Sequence, residues 1–183
     1  MRRGVLAPCL RDWVYASHMA KTLLIVYHTL TGGTLQMAQA AAGGADDAEA
    51  SLTVRLVRAP QASAADLLAA DGFIFATPEN LASMSGLMKD FFDRSYYPAL
   101  ERINGRPYAC MVCAGSDGLG AARQVERIAT GWRLKQAAPT LVVCTQAQTP
   151  EAILARKVIT PDDLQRCREL GAALAGGLML GVF

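Results

Sequence analysis

Five short apolar runs, separated by segments of helical periodicity, restrict the folds open to this chain more than any other feature. The runs occupy residues 22–28, 51–58, 72–77, 106–115 and 139–145. Predicted helices lie between and after them, over residues 34–44, 63–71, 85–100, 120–134 and 160–178. Such alternation is typical of a parallel sheet with helices on both faces. The sequence therefore predicts a three-layer α/β fold with a five-stranded parallel sheet.

The apolar pattern also predicts where some of these elements lie. The third run, "GFIFAT" (72–77), is apolar throughout, as a central strand buried on both faces would be. The second run, 51–58, alternates apolar and polar residues and is typical of a strand near the sheet edge. In the first helix, Leu35, Ala38 and Ala42 share one face, and Gly43–Gly44 is predicted to end the helix.

The later helices carry their own positional signals. In the helices 85–100 and 120–134, apolar residues at helical spacing are predicted to face the core. These are Leu87, Met88, Phe91 and Phe92 in the first and Val125, Ile128 and Ala129 in the second. Thr160 is a predicted N-cap of the last helix, because Pro161 follows it at the first helical position.

Composition excludes several classes of protein. Hydrophobic residues make up 52% of the 183 residues and the net charge is only +2, so neither disorder, nucleic-acid binding nor membrane-surface binding is indicated. The apolar segment 171–183 is too short to span a bilayer. We expect residues 20–183 to form a single domain and residues 1–19 to be an N-terminal extension, either native or left by cloning.

The five cysteines do not suggest a disulfide framework or a metal site. Cys110 and Cys113 form a CxxC motif, but it lies inside a predicted strand, where residues three apart point to opposite faces. With only two histidines, a structural zinc site is not expected either. The pattern favours free thiols in a reducing cytoplasm.

The unusual loops all follow strands of the predicted sheet, where α/β proteins bind their ligands. The first, "HTLTGGT" (28–34), offers threonine hydroxyls, flexible glycines and the start of a helix, which together suit a phosphate. It matches neither GxxxxGK[ST] nor GxGxxG. We therefore predict a terminal monophosphate held by hydrogen bonds alone, with a capped turn that binds nothing as the alternative.

Two further loops face the same edge. The loop "ATPENLASMSG" (76–86) is predicted to present backbone N–H and C=O groups to a flat polar ring, unless it is an ordinary turn with a serine cap. The loop "CAGSDGLGA" (113–121) provides a second wall. Ser116 is a weak candidate nucleophile because its flanks do not form GxSxG.

These segments resemble a known family. "YHTLTGGT" is similar to the phosphate loop of flavodoxin-like proteins. "TPENLASMSGLMKDFFDR" (77–94) is similar to a segment of flavodoxin-like NAD(P)H:quinone oxidoreductases and NADPH-dependent FMN reductases. The resemblance covers residues 22–180 and implies a flavodoxin-like sheet of strand order 2-1-3-4-5. It also implies non-covalent FMN as the cofactor, with no metal.

The resemblance assigns residues to three parts of the cofactor. Those implied at the 5′-phosphate are Thr29, Leu30, Thr31, Gly32, Gly33 and Thr34. Those implied along the flavin ring are Thr77, Pro78, Glu79, Asn80, Leu81 and Ala82. Those implied on its other side are Ala114, Gly115, Ser116, Asp117 and Gly120. No catalytic side chain is implied, because the cofactor carries the chemistry.

The implied function is hydride or electron transfer from NADPH or NADH to a quinone, free flavin or similar small acceptor. The alternative is a flavodoxin-type electron carrier with no turnover of its own. Leu81, Ala82 and Ser83 stand where the oxidoreductases commonly have an aromatic residue, an Arg or Gly, and an Asn. Because neither ring loop contains an aromatic residue, a ring face is left open for nicotinamide, which favours the enzyme.

Some residues have two interpretations. Tyr27 and His28 either reach the flavin or pack in the core, and Tyr96 and Tyr97 either pack internally or contribute to the homodimer or homotetramer that the resemblance implies. A cationic group near the helix after the third loop either binds a nicotinamide-cofactor phosphate or forms a solvated face. Its members are Arg123, Arg127, Arg133 and Lys135.

The phosphate assignment predicts the effect of a double substitution. Changing Thr31 and Thr34 to Val removes two hydroxyl donors at nearly constant size. Each lost hydrogen bond to a charged group is worth about 1.5 kcal/mol, so FMN affinity should fall at least about tenfold. Titration of the apoprotein with FMN, followed by flavin fluorescence, measures this. Unchanged affinity would contradict the assignment.

Overall fold

The computed structural model describes residues 21–183, and the expected extension 1–19 lies outside them. The strands are β1 (Thr22–Tyr27), β2 (Thr53–Arg58), β3 (Gly72–Asn80), β4 (Ser83–Met84), β5 (Pro107–Ala114), β6 (Lys135–Gln136) and β7 (Leu141–Cys144). The helices are α1 (Gly33–Ala48), α2 (Ala64–Ala69), α3 (Gly86–Ala99), α4 (Leu119–Gly131), α5 (Pro150–Leu154) and α6 (Pro161–Leu180).

The sheet has the predicted parallel core. Its order is β2-β1-β3-β5-β6, and β7 also pairs with β5 in parallel, so the five predicted strands lie in the predicted order. The predicted count of five strands is wrong. β4 pairs antiparallel with the end of β3, and β6 pairs with the start of β5. Each has two residues, too few for a sequence pattern to indicate.

The two strands whose positions were predicted from their apolar patterns lie at those positions in the sheet. The apolar run 72–77 is fully buried and lies at the centre, between β1 and β5. β2 occupies the edge and is only partly buried, as its alternation predicts. β3 continues past the predicted end at Thr77 to Asn80, because it pairs there with β4.

One face of the sheet carries an aromatic core. α2, α3 and α4 pack on this face, and the ring of Phe75 lies 5.1 Å from that of Phe92 and 6.3 Å from that of Trp132. Most predicted inward residues of α3 and α4 lie here. Leu87 does not: its side chain is 46% exposed. Tyr96 stacks on Trp132 and packs internally, whereas Tyr97 is exposed.

On the other face, α1 and α6 approach each other through small residues. A Cβ atom at Gly44 would lie 2.1 Å from the Arg168 carbonyl oxygen, and one at Gly171 would lie 1.9 Å from the Ala41 carbonyl oxygen. The predicted helix end at Gly43–Gly44 is therefore wrong, since α1 continues to Ala48. These glycines provide room for a second helix rather than a stop signal.

The last helix begins as predicted. The Thr160 hydroxyl accepts a hydrogen bond from the Asp163 N–H at 3.2 Å, which makes Thr160 the N-cap of α6. α4 ends at Gly131 rather than at residue 134. Within residues 21–183, no helix combines the length and the apolar character needed to cross a bilayer.

The helix contact predicts opposite effects for two Gly→Ala substitutions in α6. Gly171→Ala places a methyl group against the α1 backbone and should lower the free energy of unfolding by about 1–3 kcal/mol. Gly176→Ala is the matched control, because a Cβ there meets nothing within 4 Å. It should raise stability by about 0.5–1 kcal/mol through helix propensity. Urea unfolding measures both, and equal effects would contradict the close contact.

Candidate functional site

The three loops predicted to bind a ligand meet at one edge of the sheet around a cavity of about 630 Å³. β1, β3 and β5 all end there, so their loops converge. Predicted site residues that line the cavity are Thr29, Leu30, Thr31, Thr34, Pro78, Glu79, Asn80, Leu81, Ala82, Ala114, Gly115 and Ser116. The structure thus brings most of the predicted site residues together at one cavity.

The loop after β1 forms a cradle at the start of α1. Gly32 has a φ of 88°, and its N–H donates to the Thr29 hydroxyl at 3.0 Å. A Cβ at Gly33 would lie 2.6 Å from the sulfur of Cys113, so only glycine fits without a shift. The Thr34 side chain lines the cavity and is 1% exposed, and its hydroxyl makes no hydrogen bond of ordinary geometry among the described residues, although it lies beside the Cys113 thiol.

The second loop is a β-hairpin rather than the irregular loop predicted. Asn80 pairs with Ser83 across a two-residue turn, in which Leu81 and Ala82 have φ values of 50° and 60°. Two successive left-handed residues define a type I′ turn, which normally selects Asn-Gly because side chains disfavour this backbone. Leu81 is fully exposed at its tip. The hairpin therefore holds backbone strain at the edge of the cavity.

Helix α4 holds this hairpin in place. The Gln124 side chain accepts from the Met84 N–H at 3.0 Å and donates to the Ser83 hydroxyl at 3.1 Å. At Gly120, a Cβ atom would lie 2.1 Å from the Ala82 carbonyl oxygen. Gly120 is therefore a packing position behind the hairpin and does not line the cavity.

Glu79 connects the second loop to the third. One carboxylate oxygen accepts from the Gly118 N–H at 2.7 Å, at the start of α4. The other oxygen is buried and has no hydrogen-bond partner among the described residues. Glu79 lines the cavity, but this oxygen lies toward the packing side of the hairpin, 3.3 Å from the position of a Cβ at Gly120.

Other predicted residues support the site without lining the cavity. Thr77 is buried, and its hydroxyl accepts from the Ser85 N–H at 3.1 Å, which fixes the corner between β3 and α3. Gly32 and Gly33 shape the cradle through their backbone. Asp117 lies outside the lining set, and its carbonyl oxygen contacts the Cys144 thiol at 3.7 Å.

The structure places two groups of residues for which the sequence left two interpretations open. Tyr27 packs in the core between the sheet and α1, and His28 is buried beside it along the chain; neither lines the cavity. Burial, with the nearby charge of Arg58, lowers the pKa of His28. The cationic group on and after α4 is exposed and also lies outside the lining set.

The CxxC pair behaves as a pair of strand residues. Cys110 lies in the aromatic core and Cys113 in the opposite core, so the thiols are on different faces, as predicted. Burial raises the pKa of Cys110 to about 12 and that of Cys113 to about 11, which keeps both thiols neutral near pH 7. The cysteines described by the structure are free, and no metal-binding cluster occurs in residues 21–183.

The sequence missed one wall of the cavity. The segment between β7 and α6 forms the short helix α5 and then contacts the cradle, where the Lys157 N–H donates to the Thr31 carbonyl oxygen. It contributes lining residues, namely Thr145, Ala147, Ile153, Leu154 and Lys157. Lys157 is a cationic residue beside the loop for which only neutral donors were predicted. No local motif marks this segment, because it reaches the cradle only through the sheet topology.

This fold and loop arrangement define a flavodoxin-like protein. Solved structures support the fold: a WrbA-like flavodoxin from Agrobacterium tumefaciens is 21% identical, with a TM-score of 0.69 over 88% of this chain and 99% of that chain. An archaeal flavodoxin is 18% identical, with a TM-score of 0.67 over 86% of this chain and 99% of that chain.

Sequence comparison gives the family. Residues 55–148 match the NADPH-dependent FMN reductase family, and the chain belongs to it. A flavodoxin from Aquifex aeolicus is 36% identical over 56% of this chain and 54% of its own length. An NAD(P)H dehydrogenase (quinone) from Acidithiobacillus ferrooxidans is 33% identical over 40% of this chain and 46% of its own length. The chain therefore spans about half the length of these curated relatives.

The strained turn predicts a stabilising substitution. The left-handed conformation costs a residue with a Cβ about 1–2 kcal/mol, and glycine avoids this cost. Ala82→Gly should therefore raise the free energy of unfolding by about 1 kcal/mol. Ala173→Gly, at an exposed site within α6, is the matched control and should lower it by about 1 kcal/mol. Chemical denaturation measures both changes. The same sign for both would show that the turn is not strained.

Proposed function

We propose that this protein is an FMN-dependent oxidoreductase that passes reducing equivalents from NADPH or NADH to a quinone, free flavin or similar small acceptor. One observation carries the proposal: a single cavity joins a glycine-threonine cradle at a helix start to the hairpin wall formed by β3 and β4. Membership in the NADPH-dependent FMN reductase family supports the same cofactor and reductant.

The residues around the cavity fit FMN. The cradle of residues 29–34 would hold the 5′-phosphate, to which the buried Thr34 hydroxyl donates. Pro78 to Ala82 would line the ring through the backbone of the hairpin. Ala114 to Ser116 would close the other side. Thr77, Asp117 and Gly120 would act by holding these loops in position.

FMN, when bound, supplies the hydride and electron chemistry of such a site. The protein's contribution is to bind, orient and exclude water. Backbone N–H groups fixed by the hairpin favour negative charge on a bound ring, and their fixed positions avoid reorganisation. Ile153 and Leu154 of α5 are exposed aliphatic residues that line the cavity and would shield it from water.

The character of the walls favours an enzyme over a carrier. None of the described residues that line the cavity is aromatic, so no aromatic side chain would cover a bound ring. An uncovered ring face leaves room for nicotinamide and then for the acceptor. The free cysteines of the described chain support a reducing compartment, and we infer a cytoplasmic protein. We also propose that the protein forms a homodimer or homotetramer.

The second candidate is a flavodoxin-type electron carrier. The Aquifex aeolicus relative at 36% identity is named a flavodoxin, and this favours electron transfer without turnover. The two functions need the same cofactor site and differ in their reaction with nicotinamide.

Anaerobic addition of NADPH or NADH to the FMN-loaded protein separates these functions. For the reductase we expect rapid loss of the flavin's visible absorbance, because the ring face is open, and we expect added quinone to restore the absorbance while NADPH or NADH is oxidised over many turnovers. Free FMN at the same concentration is the control. Reduction that requires an added reductase protein would support the carrier. A protein that ignores added FMN would contradict both functions.

A further inference from the structure

The segment that follows α5 is fixed against the phosphate cradle by backbone bonds. The Lys157 N–H donates to the Thr31 carbonyl oxygen at 2.8 Å. The Gln36 side-chain amide donates to the carbonyl oxygens of Gly32, at 3.0 Å, and Lys157, at 2.8 Å. Its own oxygen accepts from the Ile159 N–H at 3.2 Å. Gln36 of α1 therefore joins this segment to the cradle.

The side chain of Lys157 is held close to the same place. Its Cβ lies 3.2 Å from the position of a Cβ at Gly33, and the residue lines the cavity together with Thr31 and Thr34. Its ammonium group donates to the carbonyl oxygens of Ala152, Ile153 and Ala155, each within 2.8 Å. These bonds fix the position of the ammonium group at the end of α5.

The charge of Lys157 is not neutralised. Its three acceptors are uncharged carbonyl groups, and no ion pair in residues 21–183 includes Lys157. The neighbouring Arg156 is exposed and also lacks an ion pair there. Its Cγ lies 3.9 Å from the position of a Cβ at Gly32. Two cationic residues without a carboxylate partner in residues 21–183 thus border a cradle that has no charged residue of its own.

The cradle itself calls for an anion. Four features favour an anion: the start of α1, the left-handed backbone of Gly32, the close approach of the Gly33 backbone to Cys113, and the Thr34 hydroxyl. This hydroxyl is 1% exposed and has no hydrogen bond of ordinary geometry among the described residues. A helix start with a spare buried donor favours a phosphate. Nearby fixed positive charge strengthens this preference, because the attraction between charges persists over several ångströms.

We propose that Lys157, assisted by Arg156, supplies the positive charge that holds the 5′-phosphate of FMN and makes the protein select FMN over riboflavin. This inference rests on the proposed function, since it assumes that FMN occupies the cavity. Lys157 acts here as a charge fixed by α5 rather than as a residue of the loop sequence. α5 and the residues after it thereby link the aliphatic wall formed by Ile153 and Leu154 to the cradle.

The test compares FMN with riboflavin, which lacks the phosphate, in the wild-type apoprotein and in Lys157→Met. Titration followed by flavin fluorescence gives both dissociation constants. We expect the FMN constant to rise about tenfold in the variant, equivalent to about 1.4 kcal/mol, and the riboflavin constant to change less than about twofold. Equal loss for the two flavins would overturn the proposal, because it would show that Lys157 only supports α5.

Two further variants separate charge from structure. Lys135→Met changes the net charge equally but lies in β6, beside the opposite end of β5, and should leave the FMN constant unchanged. Lys157→Arg keeps the charge and should retain most of the preference for FMN. A similar rise in the FMN constant for Lys135→Met would overturn the proposal, since overall charge would then explain it.

The wild-type protein gives an independent measure if Lys157→Met does not fold. Raising the salt concentration should weaken FMN binding but not riboflavin binding, because salt screens the charge pair. A salt-independent ratio of the two affinities would overturn the role of Lys157. If the wild type does not bind FMN, the proposed function and this inference are both overturned. If the wild type binds FMN but Lys157→Met has the same ratio of FMN affinity to riboflavin affinity, only this inference is overturned.

Discussion

The register of β3 between its two neighbours determines where the three loops around the cavity lie. Tyr27 of β1 pairs with Ala76, and Pro78 pairs with Cys113 of β5. Because these pairings are parallel, the three strands end at the same edge and their loops surround one cavity. A one-residue slip would turn each side chain of β3 to the opposite face of the sheet. Its aromatic residues would then point toward α1 and α6, which pack together through small residues. The aromatic core and the cavity therefore require the same register.

The hairpin wall of the cavity, formed by β3 and β4, combines backbone strain with rigid support. Leu81 and Ala82 occupy a turn that disfavours them, yet α4 holds the hairpin through Gln124 and through its contact at Gly120. Strained backbone persists only where surrounding contacts determine it fully. This arrangement fixes the direction of the hairpin's backbone groups, which is what a binding wall built from N–H and C=O groups requires.

The sequence predicted the elements whose signals are local. The apolar run 72–77 marked a buried central strand, and Thr160 with Pro161 marked a helix start, since each depends only on neighbouring residues. The prediction that Gly43–Gly44 ends α1 was wrong. Glycine is needed there because the Arg168 backbone of α6 packs against Gly44, and that residue is remote in sequence. The hairpin was missed because Leu81 and Ala82 lack the Asn-Gly pattern of its turn. Lys157 carried no signal, because only topology brings it to the cradle.

The close contact of α1 and α6 also affects how the chain folds during synthesis. The backbone of α1 touches α6, so the face of β1 and β3 that these helices cover stays incomplete until α6 has left the ribosome. The aromatic face is completed earlier, because α2, α3 and α4 all precede β7 in the chain. A nascent chain would therefore present one finished face and one open apolar face, the kind of surface that chaperones bind. Its final closure is a long-range event, which is the slow type in protein folding.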